Sequence, residues 1–145
     1  MEYNKNNIHY IAITGIIVNR RDTKNKYLIV KRASTEKDFA NEYTVPGGKL
    51  EVDDYINEPK TTDVSWYNIL ENALRREIKE EVGLEVDNIK YLLSLTFIRK
   101  DGIPVVVLSY YCDYESGEVE LDDSLEEYKW VTLEEARGYN LISGI

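Results

Sequence analysis

The chain has 145 residues, with 27 Asp and Glu against 18 Lys and Arg, for a formal net charge of −9. That length builds one domain with a real core. The charge argues against general binding to nucleic-acid backbone, which depends on Lys and Arg neutralising phosphates. A single cysteine, Cys112, excludes an intramolecular disulfide, and no stretch approaches the length of a membrane span. The expectation is a cytoplasmic protein with no membrane partner, in a reducing compartment.

The elements follow in chain order. Residues 8–18 read as a β-rich strand with a kink at Gly15, and 19–26 as a polar turn. Residues 27–31 form a short apolar strand, and 43–45 lead into Pro46-Gly47-Gly48. Two adjacent glycines let backbone approach a ligand closely. A polar stretch over 51–62, broken by Pro59, precedes a helix expected to start near Asp63, a good N-cap. Strands over 89–99 and 103–111 flank Lys100-Asp101-Gly102, a hairpin signal. Val105 to Leu108 is apolar at every position and reads as covered on both faces. Cys112, in an apolar and aromatic run, reads as inert core. A last strand over 128–131 runs into Thr132-Leu133-Glu134-Glu135, a capping box opening a short helix.

The informative helix carries Arg76-Glu77-Ile78-Lys79-Glu80-Glu81-Val82-Gly83-Leu84. At about 100° per residue, Glu77, Glu80 and Glu81 project within an arc of roughly 100°. Trp66, Leu70 and Ala73 fall on nearly the same face, and Leu74, Ile78 and Val82 on its flank. Asn68, Asn72, Arg75 and Lys79 lie opposite. The inward face is therefore apolar in its first half and acidic in its second. Like charges three and four residues apart repel, and carboxylates aimed at a core are costly unless paired or metal-bound. Such a cluster suits a hard divalent ion. The competing reading is a solvated acidic helix face ending at a Gly83 C-cap.

Together, Pro46-Gly47-Gly48 and the run from Arg76 to Leu84 resemble the signature of the Nudix hydrolase family. The resemblance implies a single α/β domain over 1–145, a Nudix-type α/β/α sandwich with a mixed β-sheet. It implies metal-dependent hydrolysis of a diphosphate bond in a nucleoside diphosphate linked to another moiety, with a nucleoside triphosphate or nucleotide sugar as the default substrate. Glu77, Glu80 and Glu81 would be catalytic. Glu80 and Glu81 would bind Mg²⁺ or Mn²⁺ with the Gly47 carbonyl, and Glu77 would be a further ligand or the base orienting water. Of Asp122, Asp123, Glu126 and Glu127, the last loop's acids, Glu126 is favoured to complete the metal shell. Arg76 would anchor the helix or pair with Glu80.

Arg32 and Lys49 are the candidate phosphate contacts. Tyr10, Tyr43 and Phe97 are the candidate stacking partners for a base, and His9 reads as structural. The spacing also departs from the family. Gly48 and Arg76 stand 28 positions apart, twice the family interval, and Asn68 occupies the place of the signature's first Glu. An acid of the insert around 51–62, Asp53, Asp54 or Glu58, is the candidate replacement. The insert itself reads as a lid over substrate or as a tolerated surface loop. Two rival functions remain open: a non-catalytic nucleotide sensor, disfavoured by the intact glutamates, and a diphosphate isomerase, disfavoured because the only Cys lies mid-strand.

Overall fold

The structure, a computed structural model, describes residues 3–145. Among the described residues, seven strands form one mixed sheet: β1 (Tyr10–Asn19), β2 (Lys26–Arg32), β3 (Tyr43–Thr44), β4 (Gly47–Lys49), β5 (Glu85–Ile98), β6 (Pro104–Ser116) and β7 (Leu125–Val131). The order β3-β2-β1-β6-β5 has β1 and β6 parallel and the other pairs antiparallel. On one edge β1 forks. Its end, at Val18 and Asn19, pairs with β2, whereas Ala12 to Thr14 pair with β4. Pro46 sits at the fork, its carbonyl accepting the Gly15 N–H at 2.9 Å.

The helix α1 (Ile69–Val82) lies on one face of the sheet, and a short α2 (Leu133–Ala136) packs beside β2 and β7. Thr132 caps α2 as a capping box: its Oγ1 accepts the Glu135 N–H at 3.1 Å, and Glu135 accepts the Thr132 N–H at 3.2 Å. The core joins Ile13 and Ile17 of β1 and Leu28 and Val30 of β2 to Leu74, Ile78 and Val82 of α1, all fully buried. Cys112 belongs to it, and burial pushes its thiol up to about 12, far from a reactive thiolate.

The mixed α/β fold agrees with the sequence reading, and three details differ from it. Gly15 makes no kink. It lies in a continuous strand, where a Cβ would come within 3.1 Å of Ile78 and 3.3 Å of Leu74. Close approach of the helix, not bending, demands glycine there. The helix starts at Ile69, with Asn68 before it in the left-handed region at φ 60°, so it does not begin near Asp63 and Trp66 is outside it. The segment before it is instead held by its own contacts. Trp66 Nε1 donates to the Glu58 carbonyl at 2.8 Å, and its ring packs 5.2 Å from Tyr55. Finally, Gly47 and Gly48 do not merely follow the strand at 43–45: they belong to a strand of their own, β4, because their backbone is captured by β1.

Candidate active site

Two glycines bring backbone and helix together. A Cβ on Gly47 would lie 2.2 Å from the Ile13 carbonyl oxygen, and one on Gly48 would lie 2.3 Å from the Glu77 carboxyl carbon. Only bare backbone lets β4 pair with β1 and leave space for the helix's carboxylates. Glu81 completes the junction by accepting the Gly47 N–H at 3.0 Å.

The three glutamates occupy different environments. Glu81 is deeply placed, and burial, with Asp122 and Glu77 adding like charge, pushes its carboxyl up to about 8. The Gly47 N–H bond and the charge of Arg32 oppose that shift. Burial also raises Glu77, whose side chain is 17% exposed, against the pull of Arg76. Glu80 is 56% exposed and accepts from Arg76 Nη1 at 2.9 Å. Arg76 Nη2 donates to Glu77 at 3.1 Å and to Asp54. Among the described residues, no three His, Cys, Asp or Glu side chains converge as they lie. Glu77 and Glu80 are turned to Arg76 and Glu81 to the Gly47 amide. Even so, the donor set fits a hard cation: oxygen donors on one helix, two of them burdened by burial that a cation would offset.

A cavity of about 680 Å³ opens beside this junction, lined by Glu81, Gly47, Gly48, Lys49 and Arg32 at one side. Leu95, Phe97, Val107 and Phe39 supply apolar wall, and Ile142 to Ile145 close another side. That closing segment is fixed by Tyr43, whose N–H donates to the Asn140 carbonyl at 2.9 Å and whose carbonyl accepts from Ile142 at 2.8 Å. Its volume suits a nucleotide-sized ligand.

The other candidates from sequence divide. Arg32 lines the cavity, but its Nε donates to the Asp38 carbonyl at 2.9 Å, so it also braces the loop before β3. Lys49 lines the cavity with its ammonium 5.0 Å from the Tyr10 ring centre. Phe97 lines it, Tyr10 and Tyr43 do not, and His9 is exposed. Glu126 is ion-paired with Lys31 at 3.3 Å and does not line the cavity. The loop acid whose charge bears on Glu81 is Asp122, whose N–H also donates to the Glu81 carbonyl at 3.0 Å. Neither acid lines the cavity, and Asp122 is the one whose backbone and charge reach Glu81.

Sequence reasoning missed Phe39. Its ring meets Phe97 edge-on at 6.2 Å, from a backbone at φ 56° that is strained for a bulky residue. A lone aromatic within the polar run Lys37-Asp38-Phe39-Ala40-Asn41 was the available signal. The closing wall over 142–145 carried none.

The NUDIX domain profile matches residues 9–143. A nucleoside triphosphatase NudI of Escherichia coli K12 is 27% identical over 128 residues, covering 79% of each chain. The MutT NUDIX hydrolase of Burkholderia pseudomallei superposes with a TM-score of 0.66 at 25% identity, covering 88% of this chain and 85% of that one. The NUDIX domain of Shewanella oneidensis NrtR, solved with ADP ribose, gives 0.69 at 19% identity, covering 97% and 84%. With its profile match spanning nearly the whole sequence and its carboxylate helix set against the glycine strand, the chain belongs to the NUDIX family and is a Nudix-type pyrophosphohydrolase.

Proposed function

We propose that this protein hydrolyses a phosphoanhydride bond of a nucleoside triphosphate, using a divalent cation, Mg²⁺ or Mn²⁺. The observation that carries this reading is the single cavity wall on which Glu81, Gly47 and Gly48 adjoin a largely apolar space of nucleotide size. Glu77, Glu80 and Glu81 would hold the cation with the Gly47 carbonyl, and Asp122 is the loop acid best placed to add to them. A bound cation neutralises the diphosphate and lowers the pKa of water.

The remaining work falls to the chain itself. Lys49 and Arg32 face the anionic end of the ligand, and Phe39 and Phe97 offer edges and faces to a planar base. The hydroxyl-bearing residues Thr14, Thr44, Thr96 and Ser143 line the same space. Each can donate or accept, so base discrimination should be modest. The likeness to a nucleoside triphosphatase favours a triphosphate over a nucleotide sugar.

The test is phosphate or pyrophosphate release across nucleoside triphosphates, nucleotide sugars and ADP-ribose, with Mg²⁺ or Mn²⁺ and with excess chelator. Triphosphate turnover abolished by chelator is expected. Turnover undiminished in chelator overturns the metal mechanism, and tight nucleotide binding with no turnover of any compound would establish a sensor instead.

A further inference from the structure

Within the segment around 51–62, read from the sequence as an insert, Glu51, Asp53 and Glu58 are exposed and the acid with a buried side chain is Asp54. The side chain of Asp54 is only 5% exposed. Its two oxygens are both engaged: Oδ2 accepts the Glu51 N–H at 2.8 Å, and Oδ1 accepts from Arg76 Nη2. A single turn of 3-10 helix, Val52–Asp54, sets this geometry, because the Asp54 N–H returns to the Glu51 carbonyl at 3.0 Å. The carboxylate is thus pinned from its own side before Arg76 reaches it. Asn68, at the position of the family's first Glu, is exposed and left-handed, and offers no carboxylate.

Arg76 also holds Glu77 and Glu80, two of the residues assigned to the cation. A divalent ion must therefore compete with this guanidinium for the same oxygens. Stripped of both partners, a partly buried Arg76 would be left uncompensated, which is costly. Asp54 removes that cost, since it cancels the charge of Arg76 and shares the same Nη2 that touches Glu77. No residue of 51–62 lines the main cavity, and Asp54 makes its contact with the helix, at Arg76.

We propose that Asp54 is a positioning residue for metal binding: it keeps Arg76 neutralised so that Glu77 and Glu80 can turn to a divalent cation. The insert, on this account, supplies in a different part of the chain the carboxylate that Asn68 lacks. The proposal rests on the metal-dependent reading above. A residue that orients ligands in this way is worth roughly ten- to a hundredfold in metal affinity.

The test titrates Mn²⁺ into the metal-free protein by calorimetry, with circular dichroism to verify folding. Asp54→Asn should bind Mn²⁺ at least tenfold more weakly than wild type, with kcat restored toward wild type when Mn²⁺ is raised to saturation. Asp54→Glu should retain most of the affinity, and Asp53→Asn, at an exposed neighbour, all of it. The double variant Asp54→Asn/Arg76→Gln removes the competing cation with its partner, so its Mn²⁺ affinity should recover relative to Asp54→Asn. It also carries the test if the single variant does not fold, by binding Mn²⁺ within threefold of wild type.

Unchanged Mn²⁺ affinity in folded Asp54→Asn overturns the proposal and leaves the metal mechanism standing. A loss that neither saturating metal nor the second substitution repairs assigns Asp54 a purely structural role, and also overturns it. A wild-type protein that binds no Mn²⁺ fails at the earlier step, the metal-dependent reading itself.

Discussion

The two faces of β1 use the same backbone for opposite ends. On one, Ile13 and Ile17 are fully buried and Gly15 admits Ile78 and Leu74 of α1 at close range. On the other, Ala12 and Thr14 stop short and leave the cavity open against Leu95 and Val107. Alternation along a strand sends neighbouring residues to opposite sides, so one sequence stretch can specify a filled core and an unfilled site. Packing to full density stabilises the first face. The second gives up contacts that a ligand would supply.

The sharpest break in that contrast lies where the two faces meet, at Glu81. Glu81→Gln keeps the shape and the acceptor for Gly47 but removes a charge, and should lower kcat at least ~100-fold in steady-state assays. The same variant should not destabilise the metal-free protein. Its carboxyl is raised from 4.5 to about 8 mainly by burial, so between those values only the folded state holds the proton. Stability of the metal-free wild type should therefore fall as pH rises through that window, an effect fully absent below about pH 4.5. Denaturant titrations across pH should show a flatter profile for Glu81→Gln.

A cavity made on the filled face comes next. Ile78→Ala removes a fully buried side chain and should cost about 2–5 kcal/mol in urea unfolding. Filling the open face should do the reverse. Ala12→Leu should leave stability within about 1 kcal/mol of wild type while raising KM roughly tenfold, because the added carbons take ligand space. The smallest effect is expected at Phe39. Phe39→Gly relieves its positive φ, so the melting temperature should hold, while the loss of the ring should raise KM a few-fold with kcat kept. A melting temperature well below wild type would make Phe39 a packing residue.

Much of this was legible in the residues. The strand series, the capping box at Thr132 and the acid-bearing helix follow from local pattern, because period and capping chemistry are properties of short segments. Helix start was not. Asp63 is a good N-cap by type, yet Trp66 is drawn to Tyr55 and the Glu58 carbonyl, and that tertiary contact ends the segment's freedom to be helical. Spacing could not rank the loop acids for a similar reason: Asp122 and Glu126 lie four residues apart on a chain whose path past Glu81 no spacing reveals.

The sequence by itself determined which groups could do chemistry: three glutamates on one helix face, two glycines before it, and an acidic balance that calls for a cation. It did so because helical geometry places those groups whatever the helix packs against. Only the tertiary structure decided how they differ. β4 on β1 buries Glu81 against the Gly47 amide, the insert carries Asp54 to Arg76, and the loops bearing Phe39 and Ile142 enclose the cavity. Each of these joins residues distant along the chain, and burial, charge partnership and enclosure arise only from such meetings.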